Sequence, residues 1–206
     1  VHTSPGVSGL VLAMILGKRS GSGQISVRPH NVPFVVLGAF LLWFGWFGYN
    51  AGSALAADGH AVHALMTTNT SAAAGMLSWM LIDVIKTGRP TVIGACTGGV
   101  IGLVAITPGA GFVPVWSSVI IGLTVSPICY FAVAVLKKKF GYDDALDAFG
   151  CHGIGGIWGG ITTGIFADSS INPVARWDGL IFGDFHLFAV QIAGILVTIA
   201  VSVAGT

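Results

Sequence analysis

The sequence contains no glutamate, and its charged residues make up only 8% of 206 positions, against about 25% in soluble domains. A chain so poor in charge cannot clothe a soluble fold in a solvated shell. Its net charge of +1 leaves no basic patch dense enough for nucleic acid. Cysteine is also scarce. Cys96, Cys129 and Cys151 lie inside apolar segments, and an odd number so placed excludes a disulfide framework and a structural zinc site. No nucleophile, base and orienting acid occur together, so neither a hydrolytic enzyme nor a cofactor or metal site is expected. No long linker divides the chain, which predicts one transmembrane domain over 1–206. A starting methionine and a signal peptide are missing too. The first apolar run opens Val1-His2, as if cut partway into a helix, and this predicts a piece of a longer protein, truncated at its N-terminus.

What is present is apolar and rich in glycine. Mean hydropathy is +0.86, and the 31 glycines are about twice the usual share of ~7%. Together they predict an all-α, polytopic helical membrane protein. Segments of roughly membrane-spanning length fall near 3–17, 33–56, 61–86, 91–108, 115–137, 145–167 and 184–204, each taken as close to about 20 residues. Alternate connectors carry the basic residues: Lys18, Arg19 and Arg28; Lys86 and Arg89; Lys137, Lys138 and Lys139. Only Arg176 falls on the other side, so the basic side is predicted to be cytoplasmic, with the N-terminal end outside.

The chain is organised around Asp147-Ala-Phe-Gly-Cys-His-Gly-Ile-Gly-Gly-Ile-Trp158 and the Gly160-Ile-Thr-Thr-Gly164 that follows. It places the imidazole of His152 in a long apolar segment that is otherwise almost all Gly, Ile, Thr and Trp, and an ionisable group in hydrocarbon is a functional candidate by default. Gly156, Gly160 and Gly164 share one helix face, where a second backbone can approach closely. Gly94, Gly98 and Gly102 repeat the pattern and predict a packing seam. Asp144 and Asp147 precede the central stretch, where carboxylates favour the helix dipole and cap free N–H groups; a structural role at the helix start is expected for both. Asp58, His60 and His63 read as a solvated helix start, since three ligands at a helix mouth are weak evidence of metal. Asp83, one turn before Lys86, reads as an exposed ion pair, and Pro127 predicts a kink. In the second segment Trp46, Tyr49 and Ser53 share a face among glycines. Aromatic rings beside a hydroxyl could receive a small cation, although such a run also serves as core packing or as an interfacial belt. His2 by itself says little.

Gly45-Trp-Phe-Gly-Tyr-Asn-Ala-Gly-Ser53, Gly94-Ala-Cys-Thr-Gly98 and the central His152 motif resemble the ammonium transporter family, relatives of the Rhesus proteins. The resemblance covers essentially the whole chain. It implies the fifth to eleventh helices of an eleven-helix fold built from inverted five-helix repeats plus a final helix, incomplete in this chain. It also implies that His2 and His152 are twin pore histidines, that Trp46 lines the pore, and that Ser53 belongs to an outer ammonium-recruitment site. Tyr49 falls where the family usually has a gating Phe, a departure that adds a hydroxyl at the pore mouth. A plasma-membrane homotrimer follows from the same resemblance, with regulation by a PII-type protein in many members. The implied activity is conduction of ammonia, with or without its proton. Alternatives are an ammonium sensor on the same fold and a Rhesus-type facilitator of neutral gas; against the second, the Trp46 and Ser53 pattern favours the ammonium transporters.

The physical basis is deprotonation. Ammonium and potassium ions match in charge and nearly in size, but only ammonium can lose a proton. An apolar pore penalises the ion heavily and neutral ammonia hardly at all. Two adjacent imidazoles are expected to share a proton or to stay neutral, because two positive charges side by side repel.

Overall fold

The computed structural model describes residues 1–20, 29–172 and 174–206. Arg28 of the charge pattern lies outside these residues. Among the described residues the chain is helical, with no strand. The helices are α1 (Thr3–Leu16), α2 (Val32–Ala51), α3 (Gly59–Thr87), α4 (Val92–Ile106), α5 (Val115–Phe131), α6 (Lys137–Phe140), α7 (Ile154–Phe166) and α8 (Phe185–Gly205). A π turn, Ala132–Leu136, joins α5 to α6, and a second, Phe149–Gly153, opens α7. The rods thus correspond to the seven expected segments.

Short polar residues start these helices. Asn31 accepts from Phe34 N–H at 3.1 Å, with Pro33 in the first turn of α2. Asp58 accepts from His60 and Ala61 N–H at 3.0 Å each. Thr91 and Asp184 cap α4 and α8 in the same way, at 2.9 and 2.8 Å. Each supplies an acceptor to an N–H that has no partner inside its helix.

The expected spans differ in length. By length and composition, Val32–Ala54, Val115–Phe140 and Phe185–Gly205 are long and apolar enough to cross a membrane, whereas Thr3–Leu16 and Val92–Ile106 are shorter apolar helices. The reason for α4 is burial. Ile101, Leu103, Val104, Ala105 and Ile106 are wholly enclosed, so α4 meets protein, not lipid, and need not match the bilayer. The 29-residue α3 instead carries a buried polar stripe, Thr67, Thr68 and Ser71.

α4 is the centre, packed on α2, α3, α5 and α7. Lipid tails are as apolar as Leu, so helices gain little from simple apolar contact and associate through close packing and hydrogen bonds. The α3–α4 seam shows both. A Cβ on Gly75 would lie 2.5 Å from Gly98 O, and one on Gly98 would lie 2.6 Å from Gly75 O. Ser71 Oγ donates to Gly102 O at 2.9 Å, and Ser126 Oγ on α5 donates to Gly75 O at 2.7 Å. The expected seam on Gly94, Gly98 and Gly102 therefore exists, with α3 as its partner. Ser71 faces Gly122, and Gly75 faces Ser126, so α3 and α5 run parallel. Their basic ends, Lys86 and Lys137–Lys139, lie together. Lys18 and Arg19 join that end, because Arg19 Nη2 and Nε bind Asp143 at 2.7 and 2.8 Å. Hydrogen bonding to Asp143 and its charge push the Arg19 guanidinium pKa up.

Two expectations need correction. Asp83 is not an exposed partner of Lys86. It is 8% exposed, and its Oδ2 accepts from Thr91 N–H at 3.1 Å and Thr91 Oγ–H at 2.6 Å. Burial beneath the α3–α4 turn favours these donors over a solvated ammonium. The glycines of α7 do not serve one partner. Gly156 lies against His2 and Thr3, while Gly160 and Gly164 lie against Ile195 and Phe188 of α8. A further pair, Gly155 and Gly159, meets Val104 and Ala105 of α4. The helix is wedged between neighbours, so it needs small residues on two faces.

Pro127 sits inside α5 and has no N–H for Leu123 O, the acceptor one turn before it. Ser78 Oγ on α3 donates to that carbonyl at 2.8 Å. Ser78→Ala should therefore lower stability by about 1 kcal/mol, read as a small drop in the thermal midpoint of the detergent-solubilised protein. An unchanged midpoint would mean that Leu123 O does not depend on Ser78.

Candidate functional site

His2 is the residue from which α1 starts, and His152 is the fourth residue of the π turn Phe149–Gly153. A π turn widens the helix locally and re-aims its side chains, and such turns are frequent at functional sites. Asp144 supports this one: it is 6% exposed, and its Oδ2 accepts from Phe149 N–H at 2.8 Å. Asp147 departs from the expected capping role. Its φ is +55°, its carboxylate binds Lys137 Nζ at 2.7 Å, and only its backbone carbonyl serves the turn, accepting from Cys151 N–H at 2.8 Å.

The two histidines are brought together by glycine. A Cβ on Gly6 would run into Gly153 N and Cα and lie 2.9 Å from His152 C. With only hydrogen at both positions, α1 and the π turn touch backbone to backbone. The ring centroids of His2 and His152 are then 5.6 Å apart, with planes inclined by 36°. They are neighbours without a direct hydrogen bond between them.

Trp46 and Tyr49 complete the surroundings of His2. Trp46 stacks on it with centroids 5.1 Å apart, and Tyr49 lies 6.5 Å away at 51°. Trp46 is 8% exposed; its Nε1–H donates to Thr107 Oγ1 at 2.8 Å, and His2 Nε2 lies 3.2 Å from the same oxygen. Thr107 is the residue that sequence reading missed. The available signal was its position before Pro108, where a helix end leaves carbonyls short of donors.

A cavity of about 790 Å³ leads to this cluster, lined by Tyr49, Ser53, Thr107 and His2 among others; His152 is not among its lining residues. Ser53 Oγ–H donates to Tyr49 O at 2.7 Å. That bond commits the hydroxyl proton to the backbone and leaves the oxygen lone pairs as acceptors. The half-exposed Tyr49 has no hydroxyl hydrogen bond to another described residue. Asn50, beneath it, donates through Nδ2 to Thr68 Oγ1 at 3.0 Å and ties α2 to α3.

Asp58, His60 and His63 do not converge. Asp58 caps α3, and His63 Nε2–H donates to Val113 O at 2.8 Å. Among the described residues no group of three His, Cys, Asp or Glu side chains could hold a metal ion. The arrangement offers a mouth with the Ser53 acceptor, two aromatic rings, His2 in the cavity lining and His152 beside it but outside that lining. Such a site can hold a small hydrogen-bonding cation and exchange protons with it.

A family model described as the Ammonium Transporter Family matches residues 1–206. The chain is 54% identical over 198 residues to the ammonium transporter of Bacillus subtilis (strain 168), covering 96% of this chain and 48% of that protein. It is 43% identical to the ammonium transporter MEP2 of Saccharomyces cerevisiae over 217 residues, covering 100% of this chain and 43% of the relative. The crystal structure of Saccharomyces cerevisiae Mep2 superposes with a TM-score of 0.91 at 43% identity, covering 99% of this chain and 47% of that one. A sensor Amt protein superposes at 0.85 with 31% identity, over 99% of this chain and 50% of its own. The chain spans about half the length of the curated relatives it matches. Apolar helices, a glycine-packed core and this match throughout make it an integral membrane protein of several passes, and the chain belongs to the ammonium transporter family.

Proposed function

We propose that this segment forms part of an ammonium-conducting path. Ammonium is recruited at Ser53 and Tyr49, loses a proton, and moves as ammonia past Trp46 towards His2 and His152. The observation that carries this reading is His2 in the lining of a cavity that also holds the Ser53 acceptor, with the His152 ring centroid 5.6 Å from its own. An apolar section beyond the mouth penalises any bare cation, so selection over potassium rests on giving up the proton. An imidazole has one nitrogen that accepts and one that donates, so the ring pair offers a partner for that exchange. Transport is favoured over sensing, because relatives named as ammonium transporters are 43–54% identical and the sensor Amt protein is 31% identical. Assembly as a homotrimer in the plasma membrane and contact with a PII-type regulator at the basic face belong to the same reading. Their support is family membership together with the clustering of Lys and Arg at one end.

The test is ammonium-dependent uptake and current in proteoliposomes holding the full-length protein that carries this segment. Ser53→Ala should raise the half-saturating ammonium concentration about tenfold, the loss expected for one hydrogen bond to a charged group. The maximal rate should change little, because recruitment is binding shared by the resting and crossing states. An unchanged half-saturation value would remove Ser53 from the recruitment site. Absence of ammonium flux from the wild-type protein would overturn the reading as a whole.

A further inference from the structure

The end of α4 reads Leu103-Val-Ala-Ile-Thr107-Pro108. Pro108 has no N–H, so Val104 O loses its usual donor from the next turn. Thr107 N–H bends back to take that carbonyl instead, at 3.4 Å. Leu103 O has then lost its own usual donor, which would have been Thr107 N–H. Thr107 Oγ–H replaces it, at 2.8 Å. Leu103 is wholly buried, and an unpaired carbonyl there is costly. The single proton of the Thr107 hydroxyl is therefore committed to the backbone.

The oxygen has two lone pairs left. Trp46 Nε1–H, which can only donate, takes one at 2.8 Å. His2 Nε2 approaches the other at 3.2 Å. With no proton available from the hydroxyl, the His2 nitrogen has to supply one. We infer that Thr107 is a positioning residue that holds the neutral His2 ring in the Nε2–H tautomer, so that proton exchange at His2 passes through Nδ1. The inference deepens the conduction reading above and rests on it for its consequence, though not for its geometry.

The consequence is a reset. When ammonium gives its proton to the His2 Nδ1 lone pair, ammonia is released and the ring becomes imidazolium, with Nε2–H still on Thr107. When Nδ1 passes that proton to a basic acceptor, water or the neighbouring imidazole, the ring returns to its starting tautomer. Release from Nε2 would leave two lone pairs, one on nitrogen and one on oxygen, facing each other across 3.2 Å. His2 therefore starts each cycle with the same nitrogen bare.

The experiment is ¹⁵N NMR of the histidine-labelled full-length protein in bilayers, with the His2 signals assigned by their loss in His2→Gln. At a pH where the ring is neutral, wild type and Thr107→Ser should show a protonated Nε2 and a bare Nδ1 in at least nine-tenths of molecules. Trp46→Phe should do the same, because it removes only the other lone-pair partner. Thr107→Val keeps the shape and removes the oxygen. It should let the Nδ1–H form rise at least fivefold and should slow ammonium-driven current at least tenfold, with serine restoring both. A wild-type spectrum dominated by Nδ1–H overturns the inference, whether or not any variant folds. An Nε2–H spectrum in a protein that moves no ammonium keeps the tautomer assignment and removes the transport reading. A Thr107→Val protein with the wild-type tautomer removes Thr107 from its role.

Discussion

Gly6→Val is expected to reduce ammonium conduction by the full-length protein about a hundredfold and to lower its stability by about 3 kcal/mol. The first β-carbon at position 6 already overlaps the Gly153 backbone. Backbone cannot swing aside as a long side chain can, so α1 must move away from the π turn. Overpacking of this kind typically costs up to about 3 kcal/mol, and more when nothing yields. The same movement carries His2, one turn earlier, away from His152. A displacement of 1 Å between groups that must exchange a proton costs roughly a hundredfold in rate. Gly9→Ala is the control on the same helix. Its β-carbon would lie 3.4 Å from Ala148 Cβ, an ordinary contact, and conduction should stay within about twofold of wild type. Thermal unfolding and ammonium current, measured on both variants, separate the two effects. Wild-type current in Gly6→Val would mean that the backbone contact does not set the ring separation.

His152→Ala is expected to cut ammonium-driven current by about two orders of magnitude or more, the range for removing a positioned proton acceptor. The Gly6–Gly153 contact survives this change, so His2 keeps its stacking on Trp46 and its contact with Thr107 Oγ1, and the helix framework is retained. What is lost is the second imidazole, whose ring centroid lies 5.6 Å from that of His2, and with it the proposed proton partner. His152→Gln refines the result. Glutamine offers hydrogen bonds but does not titrate near neutral pH, so current should stay close to the alanine level. Full current in the glutamine variant would assign His152 a hydrogen-bonding role with no proton transfer. Full selective current in the alanine variant would remove the ring from the path.

Much of this architecture could be read before any coordinates. Low charge and high hydropathy gave the helical membrane class, and the spacing of the apolar runs gave the helical rods, because each rests on composition or on position along the chain. Asp58 caps α3, at the helix start where the sequence places it. The site was legible to the extent that a motif carried it: His152 stood out as an imidazole in an apolar run, and resemblance paired it with His2. Asp83 and Asp147 were misread for a common reason. Each was assigned the partner nearest in sequence, a lysine one turn away or the N–H groups of the helix ahead. Burial turned Asp83 towards Thr91, and a left-handed backbone turned Asp147 towards Lys137.

Sequence by itself determined the solvent this chain folds in, the number of rods and the residue types available for chemistry, since these follow from transfer free energy and local hydrogen bonding. Tertiary structure alone decided which glycine face meets which helix, that α4 is enclosed and short, and that Thr107 stands between Trp46 and His2. Those outcomes depend on contacts between segments far apart in the chain, as Trp46 and Thr107 or His2 and His152 are, and no local pattern encodes which hydrogen bond remains open once the helices have closed.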